Sequence, residues 1–180
     1  TEIVSSIWDA VQQFGFHGGK VLEPSVGVGN FFGLMPGDLR AKSGLTGVEL
    51  DHITGGIAQQ LYPGAHILDA TGFQDFTAPD GTYDLAIGNP PFGSQKLYDG
   101  KRKHLSKFSI HNYFFGKSID LLKPNGVLAM VVSNSMMDAY GDRARQYISD
   151  RTEFLGAIRL PNNAFLKNAG TEVTTDIIFL

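Results

Sequence analysis

An α/β fold built on a mostly parallel sheet is what this chain predicts, and three observations carry that expectation. Short apolar runs alternate with segments of helical spacing. Glycine, at 22 residues, falls mostly where those runs end. No repeat or low-complexity linker divides the 180 residues. Strands alternating with helices give a parallel sheet covered on both faces.

The elements follow in order. Ile3, Val4, Ile7, Trp8, Val11 and Phe14 recur at helical spacing and predict an opening amphipathic helix ended near Gly15. Lys20-Val21-Leu22-Glu23 reads as the first strand and Leu45 to Glu49 as the second, followed by a helix over 51–61. Residues 65–68 and 83–87 read as the third and fourth strands. A long polar and basic loop spans 88–108. A helix over 110–122 carries an apolar stripe of Ile110, Phe114, Ile119 and Leu122. Pro124-Asn125-Gly126 is a turn, and Val127 to Val132 is the most hydrophobic strand. A helix over 143–151 precedes strands over 154–160 and 173–180. The loop between those last two is too short for a crossover helix, which predicts one antiparallel pair at an edge of a seven-stranded sheet.

Composition narrows the function classes. With 42% apolar and 18% charged residues, the chain has the make-up of a globular protein with a real core. A net charge of −3 argues against a domain that binds polyanions over its whole surface. The absence of cysteine excludes disulfides and thiolate metal sites. His17, His52 and His66 are scattered, so no metal is expected. No run approaches the roughly 18 apolar residues of a membrane span, and Thr1-Glu2-Ile3-Val4 is not a signal peptide. A cytoplasmic protein without a membrane partner is the expectation.

Four features fall at the predicted carboxyl ends of successive strands, where open α/β sheets bind ligands. The first is Glu23-Pro24-Ser25-Val26-Gly27-Val28-Gly29-Asn30-Phe31, whose paired glycines let the backbone approach a ligand. Alone it is equally an ordinary tight turn. It lacks the spacing of a dinucleotide fingerprint and the ending of a phosphate loop. The second is Gly47-Val48-Glu49-Leu50-Asp51, where Glu49 is placed to accept from ribose hydroxyls and Asp51 to cap the next helix. The third is Asp69-Ala70, where Asp69 can accept from an adenine amino group, though a capping role fits as well.

The fourth, Asn89-Pro90-Pro91-Phe92, is the most informative. Each proline fixes φ and lacks an N–H, and the residue before it is pushed out of helical geometry. The outcome is a stiff bracket presenting a carboxamide, backbone carbonyls and one aromatic face, suited to a planar group that carries an NH2. After it come Lys96, Lys101, Arg102, Lys103 and Lys107, which read either as phosphate contacts or as a solvated loop. His111 and Asn112 open the next helix, and a cap role is preferred for them over a place in the target pocket.

On these motifs the chain resembles S-adenosylmethionine-dependent methyltransferases of the type that methylates amino groups in DNA. Residues 23–31 are similar to that family's cofactor loop, 47–51 to its ribose-binding strand end, and Asp69 to its adenine contact. Asn89 to Phe92 match its catalytic tetrapeptide, in the order of the gamma class of N6-adenine methylases. The tail, 158–165 and 171–180, resembles type I modification subunits and methylase domains of large plasmid or phage proteins. The resemblance implies a Rossmann-like methyltransferase sheet and S-adenosylmethionine held by Glu23, Pro24, Ser25, Gly27, Gly29, Asn30, Phe31, Glu49, Leu50, Asp69, Ala70 and Asn89. It also implies catalysis by Asn89, Pro90, Pro91 and Phe92 on a flipped-out adenine. DNA is the implied partner, reached through a recognition domain beyond these residues or on another subunit. Val26 and Val28 depart from the family's smaller residues and are expected to narrow the loop. The Thr that usually precedes the opening helix has only Thr1 to stand in for it. Enzymes that methylate glutamine side chains or RNA share the bracket, and a non-catalytic cofactor-binding module would share the fold.

Overall fold

The computed structural model describes residues 2–141, 143–162, 164 and 174–180. Thr1 and much of the tail motif, residues 163 and 165–173, lie outside the described residues. The strands are β1 (Gly19–Glu23), β2 (Ser43–Val48), β3 (His66–Leu68), β4 (Tyr83–Gly88), β5 (Leu122–Ser133), β6 (Gly156–Leu160) and β7 (Thr175–Phe179). The helices are α1 (Glu2–Gln13), α2 (Asn30–Gly33), α3 (Gly37–Arg40), α4 (His52–Leu61), α5 (Ile110–Leu121), α6 (Ser135–Asp138) and α7 (Arg143–Ser149), with a 3-10 turn at Leu105–Lys107.

One seven-stranded sheet has the order β3-β2-β1-β4-β5-β7-β6. Pairs among the first five strands are parallel, whereas β7 runs antiparallel to both β5 and β6. The expected antiparallel pair is present; the reversed strand is β7, one place inside the edge. Strand order reverses between β1 and β4. That reversal opens a crevice at their carboxyl ends, and the glycine turn and the proline bracket are the two loops that leave it.

Side chains alternate across the sheet as the period of a strand requires. Leu85 and Ile87 join Trp8, Val11, Phe32, Val127 and Ala129 on one face. Ala86 joins Phe115, Leu128, Met130 and Val132 on the other. Each fully buried side chain of this size contributes about 1.5–3 kcal/mol. Trp8 of α1 also donates its Nε1–H to the Phe31 carbonyl at 3.0 Å, which pins α2 directly behind the glycine turn.

Two expectations change in the folded chain. The stripe foreseen on α5 is a helix buried almost all round, with Tyr113, Phe115, Lys117, Ser118 and Leu121 enclosed as well. It lies against β4 and β5 and also against α7, so one apolar face was not enough. The turn at residues 124–126 lies inside β5, whose pairing jumps from Tyr83↔Leu122 to Leu85↔Val127. Asn125, at φ 63°, makes that bulge. Among the described residues no helix is long and apolar enough to cross a membrane.

Candidate cofactor and target-amine site

The glycine turn is left-handed at both glycines, Gly27 at φ 54° and Gly29 at φ 83°. Their reasons differ. A Cβ at Gly27 would meet nothing within 4 Å, so this position faces open space. A Cβ at Gly29 would come within 2.2 Å of Tyr62 Cε2. Tyr62 is in turn edge-on to Phe32, with ring centroids 5.9 Å apart. Val26 does not narrow the turn as expected: it is buried against Gly47 of β2, while Val28 is partly exposed. Phe31 is likewise turned into the core and Asn30 stays exposed.

The next two strand tips place carboxylates beside this turn. Glu49 accepts the Gly27 N–H on Oε2 at 2.7 Å and the Asp51 N–H on Oε1 at 2.9 Å. Asp51 caps α4 by accepting from the Thr54 N–H at 2.7 Å, the role expected for it. Leu50 is exposed. Asp69 follows β3, next to Ala70 at φ 48°, an uncommon conformation for alanine. Its carboxylate meets His52 Nδ1 at 2.5 Å and accepts from Gln59 Nε2 at 3.1 Å. Gly55 lets α4 come this near: a Cβ there would lie 2.7 Å from Asp69 Cβ and 3.4 Å from Glu49 Cβ. Gly55, Gln59 and Tyr62 escaped the reading of the sequence, and His52 was read only as one of the scattered histidines. A glycine inside a helix costs about 1 kcal/mol relative to alanine, so Gly55-Gly56 was the available signal.

The proline bracket closes the crevice from the other side. β4 ends at Gly88; Asn89, Pro91 and Phe92 are exposed and Pro90 is buried. Ser25 Oγ donates to the Asn89 carbonyl at 3.1 Å, so bracket and glycine turn touch. Beneath them Glu23 is only 2% exposed, and its Oε2 has no partner. Burial, reinforced by the Glu49 carboxylate, pushes the Glu23 carboxyl well above its usual range. His111 is buried with Nδ1 unpartnered, as is Asn112 Oδ1, and the α5 cap position belongs to Ser109. The preferred cap role for that pair therefore fails. Burial lowers the His111 pKa, and a hydrogen bond to the Gly93 backbone opposes the shift.

The basic loop is anchored rather than loose. Asp99 accepts from the Tyr113 hydroxyl at 2.6 Å, Lys117 Nζ at 3.0 Å and the Lys101 and Arg102 N–H groups. Lys117 also donates to the Phe73 and Phe76 carbonyls at 2.6 and 2.9 Å, joining this loop to the one after Asp69. Arg102, expected as a phosphate contact, pairs instead with Asp80 and, at 3.0 Å, with Asp120; its side chain is 14% exposed. Lys96, Lys101, Lys103 and Lys107 are exposed.

The donor set fits the expected cofactor. A buried carboxyl with a free oxygen suits a cationic group, Glu49 suits a diol, and Asp69 suits an amine. Among the described residues no group of three or more acidic or histidine side chains is placed to hold a metal. Cavities of about 340 and 810 Å³ are lined by other residues.

Comparison with known proteins gives a family and a fold. Residues 38–165 match the family described as Eco57I restriction-modification methylase. The chain is 28% identical over 182 residues to defense against restriction protein B of Escherichia phage P1, covering 99% of the chain and 8% of that protein. It superposes on the type I restriction-modification methyltransferase subunit of Streptococcus thermophilus with TM-score 0.81 at 19% identity, over 99% of this chain and 43% of that one. A protein described as a class I S-adenosylmethionine-dependent methyltransferase from Listeria monocytogenes gives TM-score 0.77 at 21% identity, over 99% and 57%. The chain thus spans only a small part of its phage relative and about half of each structural neighbour. The family is described as a methylase, and the Listeria neighbour as dependent on S-adenosylmethionine. With residues 38–165 of its 180 matched, the chain belongs to the Eco57I restriction-modification methylase family.

Proposed function

We propose that this chain transfers a methyl group from S-adenosylmethionine to the exocyclic amine of adenine in DNA. The observation that carries the reading is the Ser25 Oγ–Asn89 carbonyl hydrogen bond, which sets the amine-gripping bracket against the cofactor turn. S-adenosylmethionine supplies an electrophilic methyl on a sulfonium. Glu23 would face its cationic methionine end, Glu49 its ribose hydroxyls and Asp69 its adenine amine.

An exocyclic amine is a poor nucleophile because its lone pair is delocalised into the ring. The Asn89 side-chain oxygen and the Pro90 carbonyl accept its two hydrogens and favour a more tetrahedral nitrogen. Positioning and fixed dipoles aimed at the developing positive charge supply much of the rate. A base inside a duplex is out of reach, so it is flipped out, and exposed Phe92 offers the face on which it stacks. Reading of the DNA sequence falls to a recognition domain or partner subunit. The type I neighbour, a subunit of a larger system by its description, supports that division.

The test is transfer from labelled S-adenosylmethionine to separate DNA, RNA and protein acceptors, with nucleoside analysis of the product. Label on adenine N6 in DNA is the expected result. Label confined to glutamine or RNA would move the assignment to those acceptors. Cofactor binding without transfer to any of the three would leave a binding module.

A further inference from the structure

We propose that two α4 side chains, Gln59 and His52, are positioning residues that orient Asp69 as the reader of the cofactor's purine amine. The inference rests on the cofactor site proposed above and concerns how that site tells an amine from a carbonyl.

Three hydrogen bonds from two α4 side chains dock the helix onto the tip of β3. Gln59 Nε2 bridges the Ile67 carbonyl at 3.0 Å and Asp69 Oδ1 at 3.1 Å, so one amide grips both the strand and the carboxylate that follows it. His52 Nδ1 holds the other oxygen, Oδ2, at 2.5 Å. Gly55, between them on the helix, removes the Cβ that would collide with Asp69. The Thr71 hydroxyl donates to the Asp69 carbonyl at 2.9 Å, across the left-handed Ala70. The carboxylate is thereby fixed in rotation yet keeps 27% of its side-chain surface open. Each oxygen has one lone pair engaged by α4 and one to spare.

A carboxylate held by two donors remains an acceptor. It attracts a purine 6-amino group and repels a 6-oxo group, because two acceptors would then face each other. A carboxylate free to rotate would discriminate less, since it could turn away from the wrong partner. Side chains that lock a reading group are how such geometry is kept.

The test uses calorimetric titration of this chain with S-adenosylhomocysteine and with S-inosylhomocysteine, in which the 6-amino donor is replaced by a 6-oxo acceptor and N1 gains a hydrogen. Wild type is expected to prefer the amino form by about tenfold or more, the scale of a charge-assisted hydrogen bond. His52→Ala and Gln59→Leu should each cut that preference by about threefold or more, and the double variant further. His52 is a surface residue, 78% exposed, so its replacement leaves folding intact, and thermal melting verifies this for both variants. Asp69→Ala should abolish the preference. Preferences equal to wild type in both α4 variants would overturn the positioning role while leaving the cofactor site in place. A preference unchanged in Asp69→Ala would remove Asp69 from the purine, and the positioning role with it. A wild type that binds neither ligand would overturn the cofactor reading itself.

Discussion

Lys117 Nζ lies 3.0 Å from Asp99 Oδ2, and each of the two side chains is only 3% exposed. Burial alone would raise the Asp99 carboxyl, but the Tyr113 hydroxyl and the Lys117 ammonium outweigh it and hold it at about 2. Burial pushes Lys117 below its usual value, with Asp99 pushing back. The pair fastens the loop after the bracket to the loop after Asp69, so its loss should be felt in both halves of the site.

Removing one partner leaves the other charge buried, which costs about 3–5 kcal/mol. Lys117→Met and Asp99→Asn should each lower stability on that scale in denaturant titrations at neutral pH. The pH dependence has a definite sign. The folded carboxyl value of about 2 lies below the unfolded value of about 3.9, so this contribution is complete above about pH 4 and fades as pH falls toward 2. The gap between wild type and Asp99→Asn should narrow over that window. A constant gap would place the stabilisation elsewhere.

Asn89→Ala removes the carboxamide proposed to receive the amine but leaves the backbone carbonyl that accepts from Ser25. Transfer should fall by about a hundredfold or more, as when a donor or acceptor aimed at a transition state is lost. Affinity for S-adenosylmethionine should stay within about threefold of wild type, because the glycine turn is untouched. Retained transfer in a radiolabel assay would dismiss the bracket as the amine site.

Phe92 and the exposed lysines should separate stacking from charge. Phe92→Ala should weaken binding of DNA carrying a flipped or unpaired adenine by about 1–3 kcal/mol, with little change in salt dependence. Lys101→Ala and Lys103→Ala should instead flatten the slope of log affinity against log salt by about one each. Arg102→Ala should chiefly destabilise the fold, since its guanidinium belongs to Asp80 and Asp120. Filter binding across a salt series distinguishes the first two behaviours, and thermal melting reads the third.

Gly29→Ala should abolish cofactor binding and destabilise the chain, because an added Cβ meets Tyr62 at a left-handed backbone position. Pairing it with Tyr62→Ala should restore part of the stability, since the strain of φ 83° remains when the collision is gone. Melting curves of the single and double variants measure that partial recovery.

The sheet was legible because each of its strands is an apolar run closed by a turn residue. The tips of β1, β2, β3 and β4 could then be placed in order before any contact was known. Asp51 as a cap followed from local chemistry, whereas the bond from the Gly27 N–H to Glu49, 22 positions on, did not. What stayed hidden depends on distant residues. Lys117 reads as one more helix lysine until Asp99, 18 positions earlier, is folded over it. Arg102 reads as a free cation until Asp80 and Asp120 converge on it. The short α2 and α3 lack the length for a periodic signal. Asp69 was visible as a carboxylate at a strand end, but the α4 side chains that hold it were not.

Strand β6 carries the rim of the sheet, and its central residues face solvent. Arg159 sits in its middle and reaches inward to Asp176 at 2.8 Å and sideways to Asp138 at 2.9 Å. Among the described residues β6 pairs on one side only, and a bulky cation on such an edge discourages a foreign strand from zippering on. The same guanidinium neutralises a carboxylate sealed inside the neighbouring strand. Solubility and folding thus share one side chain, so damage to Arg159 would surface as clumping before any catalytic defect could be measured.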